Sequence, residues 1–251
     1  MTQSRTRLVA IGGGELKLRE TLPIDTEIVA LTGKPHPNAL FIPTASNDSL
    51  EYCATFGSIY GGELGCETEA LLLNRDPQAL DRMQELLDWA DLVYVGGGST
   101  KRMLERWRET GFDTMLRDFA ATGRVVSGLS AGANCWFRYG NSDQPYKEGR
   151  RDIITWRIDG LGIVDLSFCP HTVREEYRVD EMTAMMRETP GMGIGVDDNA
   201  ALQISGDRFR IIAATDDLGA YAIWWEAGTP HRQRLTPADG WRKLAELRAD
   251  G

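Results

Sequence analysis

The stretch Val125-Val126-Ser127-Gly128-Leu129-Ser130-Ala131-Gly132-Ala133 runs from an apolar, strand-like segment into small, helix-forming residues. It contains the pattern G-x-S-x-G, centred on Ser130. A chain that passes from strand to helix at a single residue must strain its backbone there. Gly128 and Gly132 let it pass close to itself. Such a turn lifts the serine hydroxyl above the end of a sheet and aims N–H groups of the helix start at the same point. The pattern by itself is weak. Its setting, after a strand over 124–127 and before a helix over 131–137, gives it weight.

Outward from that turn, short apolar runs alternate with amphipathic ones. Strands are expected over 7–11, 39–42, 67–73, 91–95 and 124–127. Helices are expected over 24–32, 49–60, 77–89, 101–110 and 112–122, with Pro77 in the first turn of the third. Strands of this kind, separated by helices, read as a doubly wound, mostly parallel sheet covered on both faces. Sites in such sheets lie at the carboxyl ends of strands. Gly12-Gly13-Gly14 and Gly96-Gly97-Gly98 fall at such ends. After Ala200 the pattern changes to runs over 200–204, 208–214 and 220–225, separated by turn residues, which predict a C-terminal antiparallel meander. A short helix is expected over 237–248. With no linker or repeat in 251 residues, the chain reads as one α/β domain over 1–251.

A serine hydroxyl needs a base to be nucleophilic at neutral pH. The chain has three histidines. His36 lies between prolines and His231 in a polar tail, whereas His171 follows the apolar run Leu166-Ser167-Phe168-Cys169-Pro170. His171 is therefore the candidate base. Two carboxylates could orient it: Asp143, in Tyr139-Gly140-Asn141-Ser142-Asp143, and Asp198, in Val196-Asp197-Asp198-Asn199. Candidate oxyanion donors are the N–H of Ala131 and of Gly97 or Gly98. The glycine runs lack the Lys-Ser/Thr of a phosphate loop and complete no dinucleotide fingerprint.

The formal net charge of -9 argues against nucleic acid or an anionic membrane as the main partner. No signal-like segment opens the chain, and no apolar run reaches the ~20 residues of a membrane span. A cytoplasmic location is expected. The four cysteines form no CxxC pair or zinc-like spacing and read as free thiols, so no zinc site is expected, and without a phosphate loop or dinucleotide fingerprint no cofactor is expected either.

Five segments, in order, resemble the peptidase E (aspartyl dipeptidase) family, whose relatives include cyanophycinase. They are Leu40-Phe41-Ile42-Pro43-Thr44-Ala45-Ser46, Val95-Gly96-Gly97-Gly98-Ser99-Thr100, Gly128-Leu129-Ser130-Ala131-Gly132-Ala133, Cys169-Pro170-His171 and Gly193 through Leu202. The resemblance implies a fold like the class I glutamine amidotransferase domain, flavodoxin-like in outline, with serine in place of cysteine at the nucleophile. It implies Ser130 as nucleophile, His171 as base, and Asp143 or Asp198 as acid. Aspartyl dipeptidases of the family bind an acidic N-terminal residue through arginine. Arg174 and Arg178, one helical turn apart, are the candidates here, and a solvated helix face is the plainer alternative. The expected activity is serine-type hydrolysis of short peptides, Asp-Xaa dipeptides among them, by a monomer or homodimer. A cyanophycinase-like or isopeptide hydrolase and a catalytically silent binding protein are the alternatives.

Overall fold

The computed structural model describes residues 6–76, 79–143, 149, 155–175 and 177–247. Pro77, expected to open a helix, lies outside the described residues. Two mixed sheets organise the chain. The first has eight strands. Its parallel part is β1 (Arg7–Ile11), β5 (Val125–Leu129), β4 (Leu92–Val95), β2 (Asn38–Ile42) and β3 (Glu67–Ala70), in that spatial order. On the other side of β1 lie the antiparallel β10 (Ala200–Ser205), β11 (Arg208–Ala213) and the short β14 (Arg242–Lys243). Every residue of β4 and β5 is buried, as befits central strands covered on both faces.

One face of this sheet packs on α1 (Leu22–Ala30) and α2 (Leu50–Phe56), which continues as a π-helix over Gly57–Glu63. The other face packs on α3 (Ala79–Trp89), α4 (Thr100–Thr110) and α5 (Phe112–Ala121), and also on the second sheet. That sheet has six strands in the order β13 (Thr229–Leu235), β12 (Ala220–Glu226), β9 (Gly193–Val196), β8 (Val164–Cys169), β6 (Phe137–Ser142) and β7 (Trp156–Asp159). Strands β6, β8 and β9 run parallel. The outer face of the second sheet is covered by α7 (Tyr177–Met186), through Met182, Met186, Cys169 and Ile223.

The C-terminal meander does not form. β10 and β11 make the expected hairpin, but β12 leaves them and pairs with β9 and β13 in the second sheet. A hairpin pattern fixes which residues turn but not which sheet the next strand joins, and here the apolar Ala220 and Ala222 close the core between the sheets. The helix expected over 131–137 stops at Asn134, where α6 (Ala131–Asn134) gives way to β6. The helix expected over 237–248 is replaced by Pro237–Asp239 and Leu244–Leu247, both 3-10, with β14 between them. No helix of the described residues is long and apolar enough to cross a membrane.

Candidate active site

The carboxyl ends of β1 and β5 in one sheet meet those of β8 and β9 in the other. The seam is stitched by backbone bonds. His171 N–H donates to Gly12 O at 3.2 Å and Asn199 N–H to Gly13 O at 2.9 Å, and within the first sheet Ser130 N–H donates to Ile11 O at 2.9 Å. Ser130 sits between β5 and α6 with φ 53° and ψ −108°, a conformation that a non-glycine residue holds only when its surroundings enforce it. The enforcement is visible on both sides. A Cβ on Gly128 would lie 2.3 Å from Gly132 O, and one on Gly132 would lie 2.1 Å from Val95 O. The turn can close only with glycine at both positions.

Ser130 Oγ lies 2.8 Å from His171 Nε2, and His171 Nδ1 lies 2.7 Å from Asp198 Oδ1. A carboxylate can only accept, so Nδ1 carries the proton and Nε2 is left to accept from the serine hydroxyl. The second carboxylate oxygen, Asp198 Oδ2, accepts from Arg174 N–H at 3.1 Å, which fixes the carboxylate plane. His171 and Asp198 are largely shielded, with 17% and 14% of their side chains exposed. Burial pushes the Asp198 pKa up, but the hydrogen bond and charge of His171 outweigh it, and the group ends below the ordinary carboxylate range.

Of the two candidate acids, the structure brings Asp198 to His171. Asp143 lies instead at the end of β6 and pairs with Arg178 at 3.0 Å. The neighbouring Asp197 points away from His171. It accepts from Thr172 Oγ1, from Gly219 N–H at 2.8 Å and from Arg234, and so ties β9 to the start of β12.

The two arginines do not share a helix face. α7 begins at Tyr177, so Arg174 lies in the turn before it, exposed, while Arg178 is only 2% exposed. Arg178 is held by Asp143, by Glu175 and by Asn141 Oδ1 at 3.2 Å. A cation this deep needs such partners, because burial penalises its charge. Burial lowers the Arg178 pKa, and the Cys169 sulfur together with Asp143 and Glu175 outweighs that effect and raises it.

Gly97 lies beside Ser130: a Cβ on it would be 3.8 Å from Ser130 Cβ and 3.2 Å from Leu129 Cδ2. Its N–H donates to the Tyr52 hydroxyl at 3.4 Å. Gly98, at φ 143°, packs flat on Ala45 O. Ala131 opens α6, where an N–H has no intrahelical acceptor. Gly98, Ser130, Ala131, Asp143, His171 and Arg178 all border one small polar hollow of about 20 Å³.

Gly12-Gly13-Gly14, read from sequence only as the close of a strand, is part of the site. A Cβ on Gly13 would lie 2.1 Å from Asp198 Oδ1 and 2.4 Å from His171 Nδ1. The available signal was position: the run ends β1, the neighbour of the strand that carries Ser130. The other histidines lie elsewhere, His36 on Gly65 O at 3.0 Å and His231 stacked on Trp224. All four cysteines are free thiols, and burial pushes Cys169 up to about 12, which makes it inert. Trp225 packs on α7, its indole N–H donating to Thr183 O at 2.7 Å.

The chain matches the model of peptidase family S51 over residues 8–212. It belongs to that family. Among its relatives is an uncharacterized peptidase, YgaJ, of Bacillus subtilis (strain 168), 32% identical over 220 residues that cover 86% of this chain and 91% of the relative. Peptidase E of Streptomyces coelicolor is 27% identical over 218 residues, 82% of this chain and 80% of that protein. In fold, the chain resembles a crystal structure of a peptidase from an acI-B1 Actinobacterium. The TM-score is 0.73 at 19% identity, covering 96% of this chain and 98% of the other. A putative peptidase E protein from Listeria monocytogenes EGD-e gives a TM-score of 0.63 at 22% identity, over 83% and 98% of the two chains.

Proposed function

We propose that this member of family S51 is a serine-type peptidase that hydrolyses short peptides, with Ser130 as nucleophile, His171 as general base and Asp198 as the acid that orients it. The observation that carries the reading is the unbroken chain of contacts Ser130 Oγ–His171 Nε2–His171 Nδ1–Asp198 Oδ1, at 2.8 and 2.7 Å, built on the strained backbone of Ser130. The peptidase names carried by its relatives agree with it. The scaffold we infer is of the class I glutamine amidotransferase type, with the site at the carboxyl ends of its strands.

In this reading Ser130 Oγ attacks the scissile carbonyl carbon while Nε2 of His171 takes its proton. The charge that appears on the imidazole is met by the Asp198 carboxylate. The charge that appears on the carbonyl oxygen is met by the N–H of Ala131 together with that of Gly97 or Gly98. His171 then returns the proton to the departing amine. Water, deprotonated by the same nitrogen, releases the acyl group from Ser130 and restores the serine. Neither a metal nor an organic cofactor has a step in this sequence.

Arg178 is matched by Asp143 and Glu175, so the arginine whose charge can face a substrate carboxylate is the exposed Arg174, whose own N–H lies on Asp198. Asp-Xaa dipeptides therefore belong in the test. Turnover of dipeptides with different N-terminal residues is expected for the wild type and is expected to vanish in Ser130→Ala. Cleavage that survives in Ser130→Ala would place the reaction elsewhere. Failure of the wild type on every peptide, β-linked and polymeric ones included, would favour a silent binding protein.

A further inference from the structure

A second hollow lies beside the elbow at Ser130 and is bordered by none of Asp143, His171 and Arg178. It is an open groove of about 310 Å³. Two of its walls are neighbours of the reacting groups: Leu129 precedes Ser130, and Gly14 follows the glycine that packs on His171 and Asp198. Gly97, beside Ser130, forms part of its inner end. The groove therefore ends at residues that neighbour Ser130 in the chain and in space.

Its floor is apolar. Leu16 and Leu129 are buried beneath it, and the Tyr52 ring, edge-on to Phe41, supplies a flat wall. Thr55, one turn further along α2, closes the outer part, its hydroxyl already spent on Glu51 O at 3.0 Å. The charged groups stand only at the rim. Lys17 is matched by Glu51 at 2.7 Å, and Glu15 adds a further carboxylate, so the rim is acidic on balance. Burial pushes the Tyr52 phenol up to about 12, so its hydroxyl stays neutral. A side-chain carboxylate entering here would meet like charge at the rim and no cation on the floor, and would lose water without compensation. An apolar side chain would cover Leu16, Leu129 and the Tyr52 ring.

We infer that this groove is a specificity subsite for an uncharged, apolar side chain of the peptide residue on one side of the scissile bond. The inference rests on the reading of Ser130 as the reacting group. It deepens that reading by assigning a substrate class to one of the two flanking positions.

The test reads binding rather than turnover. Dipeptides carrying Gly, Ala, Leu, Phe or Asp at one position, with Ala at the other, are titrated calorimetrically into Ser130→Ala protein, and the series is repeated with the positions exchanged. At one position the Leu and Phe peptides are expected to bind at least about tenfold more tightly than the Asp peptide. Adding Thr55→Trp, which fills the groove from a half-exposed helix position, should remove that preference, and adding Thr55→Arg should shift it toward Asp. Asp bound as tightly as Leu at both positions, no measurable binding of the Leu and Phe peptides, or a preference untouched by both Thr55 substitutions would each overturn the assignment. Wild-type turnover separates the two readings. A preserved preference without turnover keeps the groove and removes the peptidase, and turnover without a preference removes the groove alone.

Discussion

A serine hydroxyl in an ordinary turn has no base beside it. What sets Ser130 apart is that its backbone is forced to φ 53° by Gly128 and Gly132, whose replacement by any residue with a Cβ would drive atoms within 2.3 Å of backbone carbonyls. The same logic holds for His171, at φ 61°, and for Gly13, which presses on the imidazole and on Asp198. Asp198 fixes the tautomer through Nδ1. Asp198→Asn would present an amide there, and its donor hydrogens would oppose that of Nδ1. The variant is expected to fold normally and to lose about 10³–10⁴-fold in kcat, with little change in KM, as read from steady-state kinetics on any cleaved peptide. Retention of more than about a tenth of the activity would remove Asp198 from the relay. Ser130 and His171 were legible in the sequence because each follows a strongly apolar run and few rivals exist. Asp198 was not separable from Asp143, because both are loop acids after strands that flank β8, and only the packing at the strand ends, where Arg178 takes Asp143, decides which reaches the imidazole. Arg178 looked like a surface residue because charge in a sequence carries no record of burial. Here Asp143, Glu175 and Asn141 gather around it from β6 and the turn before α7.

Among elements, α1 carries a conspicuous charge. Asp25 is fully buried and is held by the hydroxyls of Thr21 and Tyr60, each at 2.8 Å. Burial raises its pKa to about 6, although the two hydrogen bonds act to lower it. The folded state therefore holds a proton on Asp25 that the unfolded chain has lost, between the ordinary carboxylate value and about 6. Stability from this group is present at low pH and declines as pH rises through that window, by an amount on the order of 3 kcal/mol. In chemical denaturation, the unfolding free energy of Asp25→Asn minus that of the wild type should increase from about pH 4 to about pH 7. A difference that stays constant with pH would show that Asp25 is ionised throughout. The elements themselves were legible where local pattern decides them. The parallel strands β1 to β5 and their helices follow apolar periodicity, and α4 ends at Gly111 in the left-handed region, as expected of a helix stop. Elements whose identity depends on their partners were not. α6 is only Ala131–Asn134 because Phe137 must turn out to pair with Val164, a contact no local pattern announces.

For the whole molecule, the consequence lies in the seam. A single parallel sheet would place Ser130, but His171 and Asp198 follow β8 and β9 of a second sheet, joined to the first through Gly12, Gly13 and Asn199. The crossing of β12 into that second sheet brings Gly219 and Arg234 onto Asp197, so the late strands hold the turn that carries Asp198 as well as the core. In the proposed reading this assembly makes one hydroxyl, that of Ser130, a nucleophile. The most direct measurement is mass spectrometry of the intact protein after exposure to a fluorophosphonate probe, followed by mapping of the modified peptide, with His171→Ala as the comparison. Stoichiometric labelling confined to the peptide containing Ser130, and slowed by orders of magnitude in His171→Ala, is the predicted result. An unlabelled wild type, labelling at another residue, or equal rates in the two proteins would contradict it.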